Sequence, residues 1–215
     1  MRRLVTVLLL LGIVAAAGWT LFGEDLERTA LDPWRAVPAD AALVVEVGDP
    51  LRIWGRWTST SLLWKKLLPL PRAAELDAVL GRISTIAEND AGLAEAISAS
   101  HLLVAISPGS GTSARALFVL PMADAKAWEK IATAIAGPGK EPALHVGWRD
   151  GLGYVSTDAA ALDAAVTKAG NVGGGSLSVI EEACATLSSG SEAHVVANTS
   201  TLARLLAQWF TAKAV

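Results

Sequence analysis

One phrase recurs along this chain and sets most of what it can fold into. Apolar residues at strand spacing lead to an acidic or hydroxyl residue, and apolar residues at helical spacing follow. It appears as "VPADAALVVEVGDPLRIWGRW" (37–57), "ALFVLPMADAKAWEKI" (116–131), "LGYVSTDAAALDAAVT" (152–167) and "AHVVANTSTLARLLAQ" (193–208). The four share no sequence identity to speak of, so either an ancient duplication or a common physical need explains them. Strands joined by short turns pair with one another, and a capped helix with one apolar stripe covers a sheet face. The expected fold is α+β, a largely antiparallel sheet with helices covering one face, built from repeated strand(-strand)-helix units.

The local signals are specific. Leu43, Val45 and Val47 alternate with Val44 and Glu46, and Asp49-Pro50 is a cap followed by a first-turn proline. "TSTSLLWKKLLPLP" (58–71) restarts a helix that Pro69 and Pro71 end. Leu76, Val79, Leu80, Ile83 and Ala87 mark a helix between Pro71 and Asn89. "HLLVAIS" (101–107) and "ARALFVLPM" (114–122) read as strands around the turn-rich "PGSGTS". Asp124 caps a helix carrying Trp128, Ile131 and Ile135. "ALHVGW" and "LGYVS" flank "RDG", a hairpin turn, and Thr157 or Asp158 caps a helix with Leu162, Ala165 and Val166 inward. "GNVGGGS" reads as a flexible break, a short helix holds Ile180 and Leu187, and the last helix presents Leu202, Leu205, Leu206 and Trp209.

The first segment suggests an address. Leu4 to Phe22 is charge-free and mostly apolar, and a helix of that length spans roughly a bilayer's hydrocarbon core. Arg2 and Arg3 precede it and Glu24, Asp25 and Glu27 follow, an asymmetry that places the N-terminus in the cytoplasm. Trp19 and Phe22 fall where interfacial aromatics sit. A cleaved signal peptide has the same charge order, with Ala15 and Ala17 as the small residues of its site. The expected organisation is therefore a transmembrane anchor or signal peptide over 1–23, a juxtamembrane linker over 24–37 and an extracytoplasmic α+β domain over 38–215. On that reading the protein is single-pass and touches the membrane through residues 4–22.

Bulk chemistry excludes more than it selects. A 52% hydrophobic content supports a folded core, much of it alanine, so the core rests on Leu, Ile, Val and the 8 Trp. Setting aside Arg2 and Arg3, two of the 18 basic residues, leaves the 21 acidic residues in excess. No basic cluster points to nucleic acid. The single cysteine, Cys184, forms no intrachain disulfide and reads as a small buried hydrophobe.

No catalytic, cofactor-binding or metal-ligating residue emerges. His101, His145 and His194 each lie at or near a strand start, within reach of one another across a sheet but without metal-ligand spacing. "PGSGTS" and "GGGSLS" lack the context of a nucleophile elbow, and "NVGGGS" lacks the lysine of a phosphate loop. Glu181 with Glu182, and Glu88 with Asp90, read as solvated faces. "NTS" at Asn198 matches a glycosylation sequon. Trp54, Trp57 and Trp64, with Trp34 upstream, serve either core packing or a membrane, lipid, sugar or partner contact.

With these residues in view, the chain resembles an uncharacterised family of bacterial envelope proteins, catalogued as domain of unknown function 3352. The likeness rests on Pro38-x-Asp40-Ala41 leading into a strand with Glu46, and on Thr60-Ser61-Leu62-Leu63-Trp64 followed by Lys65-Lys66-Leu67. A "DG" hairpin ending in Ser156, and Asn198 before a leucine-rich helix, also correspond. It covers most of residues 38 to 210. The resemblance implies an N-terminal membrane helix, an extracytoplasmic domain, no catalytic residue to carry over, and a chain that stops partway through longer relatives.

The function expected is non-catalytic binding or scaffolding in the cell envelope, with an envelope protein as partner and no cofactor. The alternatives are an enzyme whose active site lies in a missing C-terminal region, and a periplasmic lipid or solute binder using the tryptophan-rich region.

Overall fold

In the computed structural model, residues 32–67, 71–110, 114–136, 144–170 and 193–211 are described. The chain divides after Asp32 into two units, the second of which starts at Pro33. A 3-10 turn, Pro33–Ala36, leads into β1 (Leu43–Gly48). Four helices follow: α1 (Pro50–Thr60), α2 (Leu62–Leu67), α3 (Pro71–Glu88) and α4 (Ala91–Ser98). The hairpin β2 (His101–Pro108) and β3 (Ala114–Pro121) precedes α5 (Ala125–Ala136). A second hairpin, β4 (His145–Arg149) and β5 (Leu152–Ser156), precedes α6 (Ala159–Gly170). The strand β6 (Ala193–Ala197) and α7 (Thr199–Thr211) complete the described fold.

The six strands form one sheet in the order β4-β5-β3-β2-β1-β6, every neighbouring pair antiparallel. Short-range chemistry accounts for the joints. Asp150 and Gly151 both adopt positive φ, 51° and 79°, which closes the β4–β5 hairpin as "RDG" requires. Each of the capping aspartates accepts a backbone N–H: Asp49 from Arg52, Asp90 from Leu93, Asp124 from Lys126 and Asp158 from Ala161. The long helical pattern after Pro71 breaks at Asn89–Asp90, where Asp90 starts a separate helix.

The sheet is covered on both faces, which corrects the expectation of helices on one. One core layer joins Val44, Leu103, Leu117, Val119 and Tyr154 to Leu162 and Ala165 of α6. The other joins Leu120, Leu102 and Val155 to Trp128, Ile131 and Ile135 of α5, and to Leu93 and Ile97 of α4. These are strand residues of opposite parity, hence of opposite faces. The physical reason lies in the strands themselves: "LLVAI" and "ALFVL" are near-continuous apolar runs, the pattern of strands buried on both sides. The two hairpin-helix segments therefore send α5 and α6 to opposite faces, so they do not superpose as copies of one module.

A second correction concerns the membrane. Among the described residues no helix is long and apolar enough to cross one, so the single-pass localisation expected above is withdrawn. The segment 4–22 that suggested it lies outside the described residues, as do Cys184, Ile180 and Leu187, Glu181 and Glu182, and the "GNVGGGS" break after its first glycine.

The tryptophans divide between partial burial and exposure. No residue of helix α1 is fully buried: Trp54 is partly buried, and Leu51 of the same helix packs against the second core layer. Trp54 and Trp57 meet edge to face at 5.8 Å, and Trp57 is 42% exposed. Trp34 does pack against the first core layer.

Candidate functional site

Two clusters on the same sheet face gather polar side chains. The first is a cleft of about 340 Å³ between α6, the 36–40 segment and the adjoining ends of β2 and β3. Its shape follows from the composition of α6. Leu162 packs into the core layer with Val166 against it, and both reach toward Gly147 of β4. The positions on the cleft side are Ala160, Ala161, Ala164 and Ala165, which end at Cβ and leave the space open. Ala105 and Leu117 form the strand side of the same lining.

Polar groups stand at defined places in this mostly small, apolar lining. Arg115 donates from Nη2 to Asp40 Oδ2 at 2.6 Å and from Nε to the Pro108 carbonyl at 2.9 Å. Lys168 donates from Nζ to the Val37 carbonyl at 2.7 Å, tying α6 to the segment after the 3-10 turn. Ser107 is buried, lines the cleft, and its hydroxyl has no hydrogen-bond partner among the described residues. Backbone between Ala116 and Thr157 fixes this end of the sheet: Thr157 Oγ1 accepts from the Ala116 N–H at 3.0 Å, and the Ala116 carbonyl accepts from Ser156 Oγ at 3.1 Å.

The second cluster centres on Glu46. Its Oε2 lies 3.0 Å from His194 Nδ1, and its Oε1 takes Trp34 Nε1–H at 3.3 Å and lies 3.4 Å from His101 Nδ1. Strand register explains the meeting, because Glu46 is paired with His194 on β6 while His101 sits opposite Gly48 on β2. One carboxylate thus joins three strands and the 3-10 turn. No group of three or more His, Cys, Asp or Glu that could hold a metal is found among the described residues.

No family model, no curated protein and no solved structure matches this chain. The site therefore has to be read from its own chemistry.

Of the three histidines singled out in the sequence, two come together on Glu46, and His145 stands apart on β4 opposite Ser156. Sequence reading passed over Ser107, Arg115 and Lys168, which carried no motif. For Ser107 and Arg115 the one signal was a polar or charged residue at the core-facing parity of an otherwise apolar strand, as in "AIS" and "ARALFV"; Lys168, on α6, had none. The same core layer holds a second hydroxyl without a partner among the described residues, that of the fully buried Tyr154. Burial, and then the Asp150 charge, push its pKa up to about 12, with Arg149 pulling slightly the other way.

Proposed function

We propose that this chain is a non-catalytic binding domain and that its ligand site is the alanine-lined cleft beside α6. The observation that carries this reading is the buried Ser107 hydroxyl, left without a partner among the described residues where the cleft meets the sheet. Such a group costs about 1–3 kcal/mol unless something supplies its hydrogen bond, and a ligand in the cleft would do so. The volume lies at the small end of ligand pockets, and an apolar lining with a few fixed polar groups is their usual make-up. The reading is tested by Ala161→Phe, which fills the cleft from α6. Binding of small molecules, found by ligand-observed NMR with a broad fragment panel, should disappear in this variant while the thermal midpoint holds. Fragments binding equally well to both proteins would end the proposal.

A second reading keeps the scaffolding role, and the exposed Trp57 and the 75% exposed Leu62 favour it. Crosslinking through a photoreactive residue at position 57 should then recover one reproducible partner. Membership of the family named above is likewise our proposal, supported by the quoted phrases alone.

A further inference from the structure

Resting on the cleft as the binding site, we propose that its ligand is a small monocarboxylate with a short aliphatic body, the carboxylate held jointly by Arg115 and Ser107. Three observations converge. Ser107 and Arg115 are directly paired across β2 and β3, so an orphan hydroxyl and a guanidinium stand side by side on one sheet face. Arg115 uses Nε for the Pro108 carbonyl and Nη2 for Asp40, and its Nη1 has no partner among the described residues. The charged side chains of the lining are Arg115, Lys168 and Asp40, two cationic and one acidic.

A planar carboxylate matches that arrangement. One oxygen accepts from Nη1 of Arg115 and the other from the Ser107 hydroxyl, which relieves the orphan. The ligand's body lies along the alanines of α6. A phosphate fits less well, because it brings up to about two negative charges and wants more donors than this cleft offers. Among the described residues the walls hold no glycine, and phosphate sites use a glycine-rich backbone cradle. Asp40 competes with the ligand for the same guanidinium, so it sets affinity rather than providing it.

The experiment titrates the full chain with sodium acetate, butyrate and hexanoate, with the matched primary amides and with inorganic phosphate, by calorimetry and NMR. Affinity should rise about fourfold per methylene until the cleft is filled. The amides should bind at least about tenfold more weakly than the acids. Arg115→Gln should remove the preference for acid over amide, and Asp40→Asn should tighten carboxylate binding by about threefold or more. Ser107→Ala should weaken carboxylates while raising the thermal midpoint, a pairing that a merely structural serine would not produce. Phosphate outcompeting hexanoate, or amides matching acids, overturns the carboxylate assignment. Neutral fragments lost in Ala161→Phe but indifferent to Arg115→Gln overturn it while leaving the binding site standing. If no carboxylate binds and Ala161→Phe alters nothing in the fragment panel, both the ligand class and the site fall.

Discussion

Trp128 of α5 lies flat enough against Gly153 of β5 that a Cβ added to the glycine would come within 2.2 Å of the indole ring. Gly153→Ala must push the ring or the helix away, and overpacking of this kind costs about 1–3 kcal/mol. Urea denaturation should show that loss, and Trp128→Leu in the same background should recover part of it. A neutral Gly153→Ala would mean that α5 sits further from the sheet.

Removal of the Tyr154 hydroxyl should stabilise the protein. Tyr154→Phe deletes a fully buried polar atom that has no partner among the described residues and keeps the ring, so a gain of about 1 kcal/mol is expected by chemical denaturation. A loss would show that the hydroxyl has a bond after all.

Alkaline titration offers a direct readout of the same residue, because the chain has 1 tyrosine. Its folded pKa is raised from 10.0 to about 12. The unfolded chain therefore releases this proton first, so the stabilisation is complete below pH 10 and is lost as pH rises towards 12. Absorbance of tyrosinate should appear in step with unfolding rather than as a free titration near 10. Ionisation near 10 in the folded protein would contradict the burial.

At acid pH the Asp90–Lys130 pair should matter. Asp90 caps α4 and accepts from Lys130 of α5, and these bonds, Lys130's first, hold its pKa below the usual carboxylate value. A depressed folded pKa means that stability is present above the unfolded value and drains away as pH falls through the folded one. Asp90→Asn should therefore flatten the acid limb of the stability profile and leave neutral pH less affected. A profile identical to the parent's would show that the pair contributes nothing. The pair is exposed, so added salt should shrink the difference.

Glu46 should govern the attachment of β6. Glu46→Ala removes the acceptor shared by His194, Trp34 and His101. A loss of about 1–3 kcal/mol is expected, with amide exchange in 193–197 accelerating ahead of the central strands. Uniform acceleration across the sheet would place the effect elsewhere.

The elements of this fold were legible wherever chemistry is local. Asp49-Pro50, Asp124 and Asp158 announced helices, and "RDG" announced a hairpin, because caps and tight turns are decided by a few neighbouring atoms. The two-sided covering of the sheet was harder to read. It depends on where α5 and α6 swing after each hairpin, and their apolar stripes look alike from outside. Helix α1 was harder to place, since Trp54 and Trp57 have the size and spacing of core residues yet neither is fully buried. The cleft was invisible for another reason. It exists where α6 carries alanine instead of something larger, and an absence of atoms has no motif. Ser107 and Arg115 gain meaning only through the β2–β3 register that sets them opposite each other. Glu46 and His194 lie 148 positions apart and likewise depend on register.

The placement of β6 beside β1 has a consequence for biosynthesis. As the polypeptide leaves the ribosome, β1 to β5 can zip up in order, but the outer flank of β1 stays bare until 193–197 has been translated. During that interval Val45 and Val47 offer an open template to any other nascent strand. Slow elongation through the intervening codons would lengthen the exposure, making a holding chaperone a natural companion of this protein's birth.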